Sequence, residues 1–235
     1  DCFATHSRVP LKVNQATPHI YVNKSYSTAP YESGELIGAA GGVNCSVNGV
    51  AKWLITQLAH GKLPNNEMLF SNDRHKEMWT PQTIENASLK NELGSRVNLT
   101  TYALGWGISD YMGHQYIGHT GGLGGMLTSM LMIPEKNIGI LVFTNQQNGY
   151  ARSAIISQIL QGMLNHKSKY TFDEIVERSK STSNEAIQKM NEIWNQRNKD
   201  ASHSLPLQSY AQHYTDSWYG EVKIEIKNEQ LYFTS

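Results

Sequence analysis

Two apolar runs near the middle of the chain form its clearest hydrophobic pattern. The first lies between Met126 and Ile133, and the second extends from Ile138 to Asn145. The sequence Pro-Glu-Lys-Asn separates them, and proline and asparagine both favour turns. Two apolar runs joined in this way predict a buried antiparallel hairpin that spans Met126 to Asn145.

Helical spacing predicts two helices before this hairpin. Ser46 is a suitable N-cap, and apolar residues recur three and four positions apart from Val47 to about Ala59. Gly61 follows as a stop signal for this helix. Ser71 caps a second, short helix that ends before residue 81, which is a proline. We therefore expect the longer helix to bury one face.

Two further helices are predicted after the hairpin. Asn148 opens a helix that continues through Leu164. A second helical pattern extends from Phe172 to Arg197 and is thinned at residues 179–183, where serine is frequent. We expect this second helix to bridge two units of the chain.

Other stretches lack a sustained period. Residues 1–40 contain proline, asparagine and serine and predict a long irregular connector, which is unusual in a compact domain unless it lines a site. Residues Glu85 to Leu99 are polar and predict a surface excursion. From Leu207 onward the pattern changes: Val222, Ile224 and Ile226 alternate with polar residues, and a strand returns after a Lys-Asn turn. Such a hairpin needs more strands because two alone are marginally stable in water.

Composition limits the possible functions. Of 235 residues, 39% are hydrophobic and 17% are charged, an ordinary globular balance. The formal net charge is +0, so electrostatics do not indicate a nucleic-acid partner. No apolar run approaches the ~20 residues of a membrane span. The two cysteines, Cys2 and Cys45, exclude a cysteine-rich metal site, and they either form one bridge or remain two free thiols. No metal and no other cofactor is predicted.

Glycine is densest just before the hairpin, in the stretch Gly118-His119-Thr120-Gly121-Gly122-Leu123-Gly124-Gly125. Glycine weakens a strand, so this density marks a place where a ligand or another backbone approaches closely. A strand-like segment, Tyr102 to Ile108, precedes it with the sequence Tyr-Ala-Leu-Gly-Trp-Gly-Ile.

The order of these motifs resembles a known superfamily. Tyr-x-Leu-Gly-Trp, then Gly-His-Thr-Gly-Gly, a Pro-Glu turn and a strand ending in Thr-Asn are similar to the serine beta-lactamases and penicillin-binding hydrolases. The resemblance is strongest to the branch of class C beta-lactamases, D-alanyl-D-alanine carboxypeptidases and esterases. An upstream string, Ala-Gly-Gly-Val followed by a helix with Lys-Trp-Leu and then His-Gly-Lys-Leu-Pro, resembles the same branch.

The resemblance implies a fold class and a division of the chain. The fold would be α+β, with an antiparallel sheet flanked by helices, incomplete here, and the start of a small β-rich domain. Residues 1–168 would be the C-terminal part of the hydrolase domain, 169–204 a helical linker, and 205–235 the beginning of the appended domain. The chain would then be a piece of a longer, bacterial protein, and the resemblance favours a periplasmic or otherwise exported location.

The resemblance also implies roles for four residues. His119 stands where the third motif of the family has lysine, or histidine in many members, and would bind a substrate carboxylate or help position a tyrosine. Thr120 would hydrogen-bond the same carboxylate, and Gly121 would let the substrate approach the strand. The backbone N–H of Gly122 would be one of two catalytic oxyanion donors. The alternative for His119 is a structural histidine held by hydrogen bonds.

The nucleophilic serine of such a site and its lysine are absent from these residues. In the resembled enzymes the serine of Ser-x-x-Lys forms an acyl-enzyme, and the lysine and the tyrosine of Tyr-x-Asn move protons. None of the serines in the chain has lysine three positions later. Tyr21-Val22-Asn23 fits the tyrosine motif only as a string, because the tyrosine of the family comes much further upstream. The parent would transfer the acyl group of an amide or ester, such as a beta-lactam or a D-amino-acid peptide, to water, and this chain alone is expected to be inactive.

Two other functions remain open at this point. The parent could be a non-catalytic peptide- or cell-wall-binding relative, in which case Ser-x-x-Lys would also be missing upstream of Asp1. Alternatively, the chain could be a complete interaction protein with no hydrolase ancestry. The expected partner of the hydrolase is a small molecule or a peptide rather than a nucleic acid, and the sequence predicts no oligomeric state.

Overall fold

Antiparallel strands dominate the computed structural model, which describes residues 2–22, 25–32, 37–90, 96–165, 170–198, 202–218 and 220–234. The strands are β1 Cys2–Phe3, β2 His19–Val22, β3 Ser25–Thr28, β4 Asn44–Cys45, β5 Thr83–Lys90, β6 Arg96–Tyr102, β7 Gly107–Tyr111, β8 His114–Leu123, β9 Met126–Ile133, β10 Ile138–Thr144, β11 His213–Asp216, β12 Gly220–Lys227 and β13 Gln230–Thr234. The helices are α1 Gly38–Gly41, α2 Val47–Leu58, α3 Asn72–Met78, α4 Gly149–Met163 and α5 Phe172–Asn195. The chain divides into two compact units, Asp1–Asn184 and Glu185–Ser235.

A six-stranded sheet is the centre of the first unit. Its strands follow the order β10-β9-β8-β7-β6-β5, so each one pairs with its neighbour in sequence. The predicted hairpin at one end of the sheet is confirmed, because β9 pairs with β10. The paired residues extend from Leu127 opposite Thr144 to Ile133 opposite Ile138. The turn between them is a short 3₁₀ segment followed by Asn137 in the left-handed conformation.

Helices cover both faces of this sheet. One apolar cluster joins the sheet to α4 and contains Tyr111, Leu131, Ile133, Ile138, Ile140, Val142, Ile156 and Leu160. The other joins the sheet to α2 and contains Leu54, Ala103, Trp106, Ile108, Ile117 and Met132. Leu131 and Met132 are consecutive on β9 yet belong to different clusters, because side chains alternate across a strand. The expected α+β architecture, with helices flanking an antiparallel sheet, is confirmed.

The predicted helix starts are confirmed by side-chain caps. The Ser46 hydroxyl accepts the N–H of Gly49 at 3.0 Å, and the Ser71 hydroxyl accepts the N–H of Arg74 at 3.3 Å. Asn148 accepts the N–H of Tyr150 at 2.9 Å and begins α4. Caps of this kind typically stabilise a helix by ~1 kcal/mol. In the described residues, no helix combines the length and apolar character that crossing a bilayer requires.

The polar stretch from Glu85 to Leu99, predicted as a surface excursion, is part of a β-hairpin. β5 pairs with β6, with Thr83 opposite Tyr102 at one end of the hairpin. β5 is an edge strand of the sheet. Polar residues suit an edge strand because they discourage pairing with other chains. Residues 91–95 lie outside the described part of the chain.

The N-terminal connector, predicted to be irregular, contains short paired strands. β1 pairs with β4, and β2 pairs with β3. Cys2 and Cys45 lie opposite each other in the first pair and form a disulfide. The structure thus selects the bridge over the two free thiols that the sequence left as an alternative.

The second unit contains a three-stranded antiparallel sheet in the order β11-β12-β13. The predicted hairpin is confirmed, with Lys227 paired to Gln230 and a turn between them. β11 supplies the further strand that a stable hairpin needs. The boundaries 1–168, 169–204 and 205–235 remain predictions.

Candidate active site

β8 continues past Gly107, the first residue of β7, which leaves one side of its backbone without a strand partner in the described residues. The last pair between these two strands is Gly107 with Gly118. On the other side, β8 pairs with β9 as far as Leu123 and Met126. The segment from His119 to Leu123 is therefore an edge, and the free N–H and C=O groups of an edge can pair with an extended ligand.

All four site residues predicted from the sequence lie on this edge. His119, Thr120 and Gly122 are exposed, and Gly121 is half-buried. Their side-chain directions alternate, so His119 and Thr120 face opposite sides of the sheet. A Cβ atom at Gly121 would collide with the hydroxyl of Thr128 on the neighbouring strand. The close approach of Thr128 therefore requires glycine at this position.

Both ring nitrogens of His119 have partners within the chain. Nδ1 lies 2.5 Å from the backbone oxygen of Thr120, and Nε2 lies 2.9 Å from the hydroxyl of Tyr102. A carbonyl oxygen can only accept, so Nδ1 carries a proton, and Nε2 of the neutral ring accepts from the Tyr102 hydroxyl. His119 is thus exposed at the strand edge and also hydrogen-bonded, which combines the two alternatives drawn from the sequence.

The N-terminal connector packs against the turn that follows the site strand. The N–H of His19 donates to the backbone oxygen of Gly125 at 3.1 Å, and the N–H of Gln147 donates to the backbone oxygen of His19 at 2.9 Å. Nδ1 of His19 lies 3.0 Å from the backbone oxygen of Asn145, whose side-chain amide donates to Thr17 at 3.0 Å. These bonds tie the connector to both ends of the β9–β10 hairpin.

Tyr102 and Tyr21 both belong to sequence motifs, and the structure places Tyr102 in contact with a site residue. The sequence marks Tyr102 only as the first residue of a motif, although its hydroxyl contacts His119. Tyr21, from the Tyr-x-Asn string, lies on β2 with its ring 5.1 Å from that of Tyr26. Asn23 of the same string lies outside the described residues. The structure therefore supplies no catalytic role for the string.

A separate histidine pair joins the turn after α2, which contains His60, to α3, which contains His75. His75 is buried, and its Nδ1 is 3.2 Å from Nδ1 of His60. Burial lowers the pKa of His75, and the neighbouring His60 lowers it further. Within the described ranges, no three histidine, cysteine, aspartate or glutamate side chains are grouped so that they could hold a metal ion.

Comparison with protein families decides the ancestry of the chain. A family model described as Beta-lactamase matches residues 4–162. The chain belongs to the beta-lactamase family. The matched residues include the complete six-stranded sheet and the candidate site strand, so this membership contradicts the interpretation of the chain as an interaction protein without hydrolase ancestry.

A solved structure shows the same fold. The octameric penicillin-binding protein homologue from Pyrococcus abyssi aligns with this beta-lactamase-family chain at a TM-score of 0.60 and 20% sequence identity. The alignment covers 99% of this chain and 44% of that one, so the chain spans less than half the length of its structural relative. No curated protein matches the sequence.

Proposed function

We propose that this chain carries the substrate-binding strand of a beta-lactamase-type serine hydrolase that acts on an amide or ester. The observation that supports this proposal is the open edge of β8, where His119 and Thr120 are exposed beyond the last residue pair with β7. Family membership and the Gly-His-Thr-Gly-Gly sequence agree with this assignment. The substrate class, a beta-lactam, a D-amino-acid peptide or an ester, is part of the proposal.

Each residue of the edge has a role in this proposal. An extended substrate would pair with the free backbone groups of β8, as peptides do at other sheet edges. The Thr120 hydroxyl would donate to the substrate carboxylate, and the small Gly121 would let the substrate lie close to the strand. The N–H of Gly122 would stabilise the oxyanion that forms when the substrate carbonyl is attacked.

The nucleophile of the reaction must come from outside these 235 residues, because they contain no Ser-x-x-Lys. Its serine oxygen would attack the carbonyl carbon as the bond from that carbon to nitrogen or oxygen breaks, and the nitrogen or oxygen would take up the serine proton. Water would then release the acid from the acyl-serine. An oxyanion site works with two donors, and loss of one typically lowers the rate by ~10²–10³. The chain by itself is therefore expected to bind substrate but not to turn it over.

Binding can be tested on the chain with N-acetyl-D-alanyl-D-alanine as the probe. In a titration followed by amide NMR, we expect the signals of residues 119–123 to shift. His119→Gln should weaken binding about fivefold, or ~1 kcal/mol, because it removes the ring that Tyr102 and the backbone of Thr120 hold beside the edge. His114→Gln is the matched control, since His114 lies at the opposite end of β8, where its Nδ1 is 2.6 Å from Glu135. Absence of shifts, or equal weakening by both variants, would contradict the proposal.

The prediction that the chain contains no nucleophilic serine can be tested separately by covalent labelling. We expect a fluorescent penicillin or a fluorophosphonate to leave no stoichiometric adduct on the chain. An adduct on a serine would show that the attacking residue is present after all. The titration would still report whether β8 binds the probe, so the two halves of the proposal are judged independently.

A further inference from the structure

Tyr102 lies at the end of β6, two strands away from the site strand, yet its hydroxyl reaches the imidazole of His119. We propose that Tyr102 is a positioning residue that holds His119 as the Nδ1–H tautomer and fixes the direction of its ring at the open edge. This inference rests on the proposed function of β8, for which it names a further residue.

Tyr102 reaches His119 just beyond a row of paired residues. Tyr102 pairs with Gly107 across β6 and β7, and Gly107 pairs with Gly118 across β7 and β8. His119 is one residue beyond this row, so no residue of β7 lies between the hydroxyl and the imidazole. A Cβ atom at Gly118 would lie 2.7 Å from the backbone oxygen of Met130, so this position excludes larger residues.

The two rings meet in a geometry that suits the hydrogen bond. Their centroids are 5.8 Å apart and the ring planes are inclined by 64°, an edge-to-face arrangement. The half-buried Tyr102 thus holds the exposed His119 from the side of β6. The backbone oxygen of Thr120 holds the other ring nitrogen at 2.5 Å.

These two contacts determine which nitrogen carries the proton. The hydrogen bond made by one ring nitrogen sets the protonation of the other. The backbone oxygen of Thr120 can only accept, so it selects Nδ1–H, and the Tyr102 hydroxyl completes the arrangement by donating to Nε2. Neutral His119 then has no N–H left for a substrate carboxylate. Its role at the site is to present a fixed ring beside the edge, and direct donation to the carboxylate belongs to the Thr120 hydroxyl.

The tautomer of His119 can be measured in the full chain. We expect two-bond ¹⁵N–¹H correlations of ¹⁵N-histidine-labelled protein at neutral pH to show His119 as Nδ1–H. Tyr102→Phe removes only the hydroxyl, and the ratio of Nδ1–H to Nε2–H should fall about fivefold, as for loss of one hydrogen bond. Tyr214→Phe is the control because it removes a similar hydroxyl in the second unit, where Tyr214 donates to the backbone oxygen of Tyr210 at 3.0 Å. That variant should leave the His119 signals unchanged.

Two results would overturn the inference. One is a wild-type His119 that carries its proton on Nε2, a measurement that needs no variant and stands even if Tyr102→Phe does not fold. The other is a folded Tyr102→Phe protein with an unchanged tautomer ratio. If the wild type still binds N-acetyl-D-alanyl-D-alanine in either case, the positioning role fails and the proposed function survives. If the tautomer responds as expected but no binding occurs, the proposed function fails and the positioning role stands.

Discussion

Gly125 offers a sharp test of how the N-terminal connector is held against the site. It follows β8, and its φ angle is +79°, in the left-handed region that strongly favours glycine. A Cβ atom there would lie 2.6 Å from the backbone nitrogen of His19 and 2.9 Å from Cβ of Pro18. Gly125→Ala should therefore strain the turn and also push the connector away from it.

The two contributions can be separated with a second glycine. Gly113, in the turn before β8, has a φ angle of +85°, but a Cβ atom added there would have nothing within 4 Å, so Gly113→Ala meets only the backbone penalty. That penalty is about 1–2 kcal/mol for a left-handed alanine. Overpacking typically costs about 1–3 kcal/mol. We therefore expect losses of about 1–2 kcal/mol for Gly113→Ala and, by adding these terms, about 2–5 kcal/mol for Gly125→Ala.

The assay is urea unfolding at 25 °C, followed through the amide NMR signals of β9 so that the first unit is observed by itself. The backbone signal of His19 should also move in Gly125→Ala and stay in place in Gly113→Ala. Equal destabilisation by the two substitutions, with an unchanged His19 signal, would refute the idea that Gly125 is required by the close approach of the connector.

Three other predictions concern the bridge, the buried histidine and the core. Removing the Cys2–Cys45 disulfide, which joins residues 43 positions apart, should destabilise the chain by about 4 kcal/mol, seen as a lower urea midpoint on reduction. Burial lowers the pKa of His75, so the contribution of neutral His75 to stability is complete above the unfolded pKa of about 6.5 and is lost as the pH falls below that value. The free energy of unfolding should therefore drop between about pH 7.5 and about pH 5.5, and it should drop less in His75→Gln. Leu131→Ala should cost about 2–5 kcal/mol by denaturation because Leu131 is fully buried, whereas Leu104→Ala at a half-exposed position should cost less than about 0.5 kcal/mol.

Local signals were sufficient for much of the fold. The cap at Ser46 and the apolar spacing after it predicted a helix that the structure places at Val47–Leu58. The turn residues after Ile133 predicted the hairpin of β9 and β10 in the same way. Both features depend on residues close together in sequence, so no knowledge of the remaining fold was needed.

Features that depend on distant residues could not be derived in this way. The Cys2–Cys45 pairing depends on the register of β1 with β4, which the spacing of the cysteines does not reveal. β11 escapes prediction because all four of its residues are exposed and give no apolar alternation. The site residues were found only through resemblance, since the sequence from His119 to Gly122 does not reveal that β7 begins only opposite Gly118.

The contact of Tyr102 with His119 shows why two separated motifs occur together. The loop between β6 and β7 is anchored by Trp106, which is buried near Ile117, and it is closed by a 2.8 Å bond from the N–H of Ala103 to the backbone oxygen of Trp106. Because this loop makes β7 begin only at Gly107, β8 loses its partner after Gly118 and the edge opens at the next residue, His119. The same loop leaves Tyr102 at the end of β6, within reach of the imidazole. The Tyr-x-Leu-Gly-Trp sequence therefore leaves β8 without a partner from His119 onward and also supplies the hydroxyl that orients His119. This shared dependence explains why it occurs together with the Gly-His-Thr-Gly-Gly sequence.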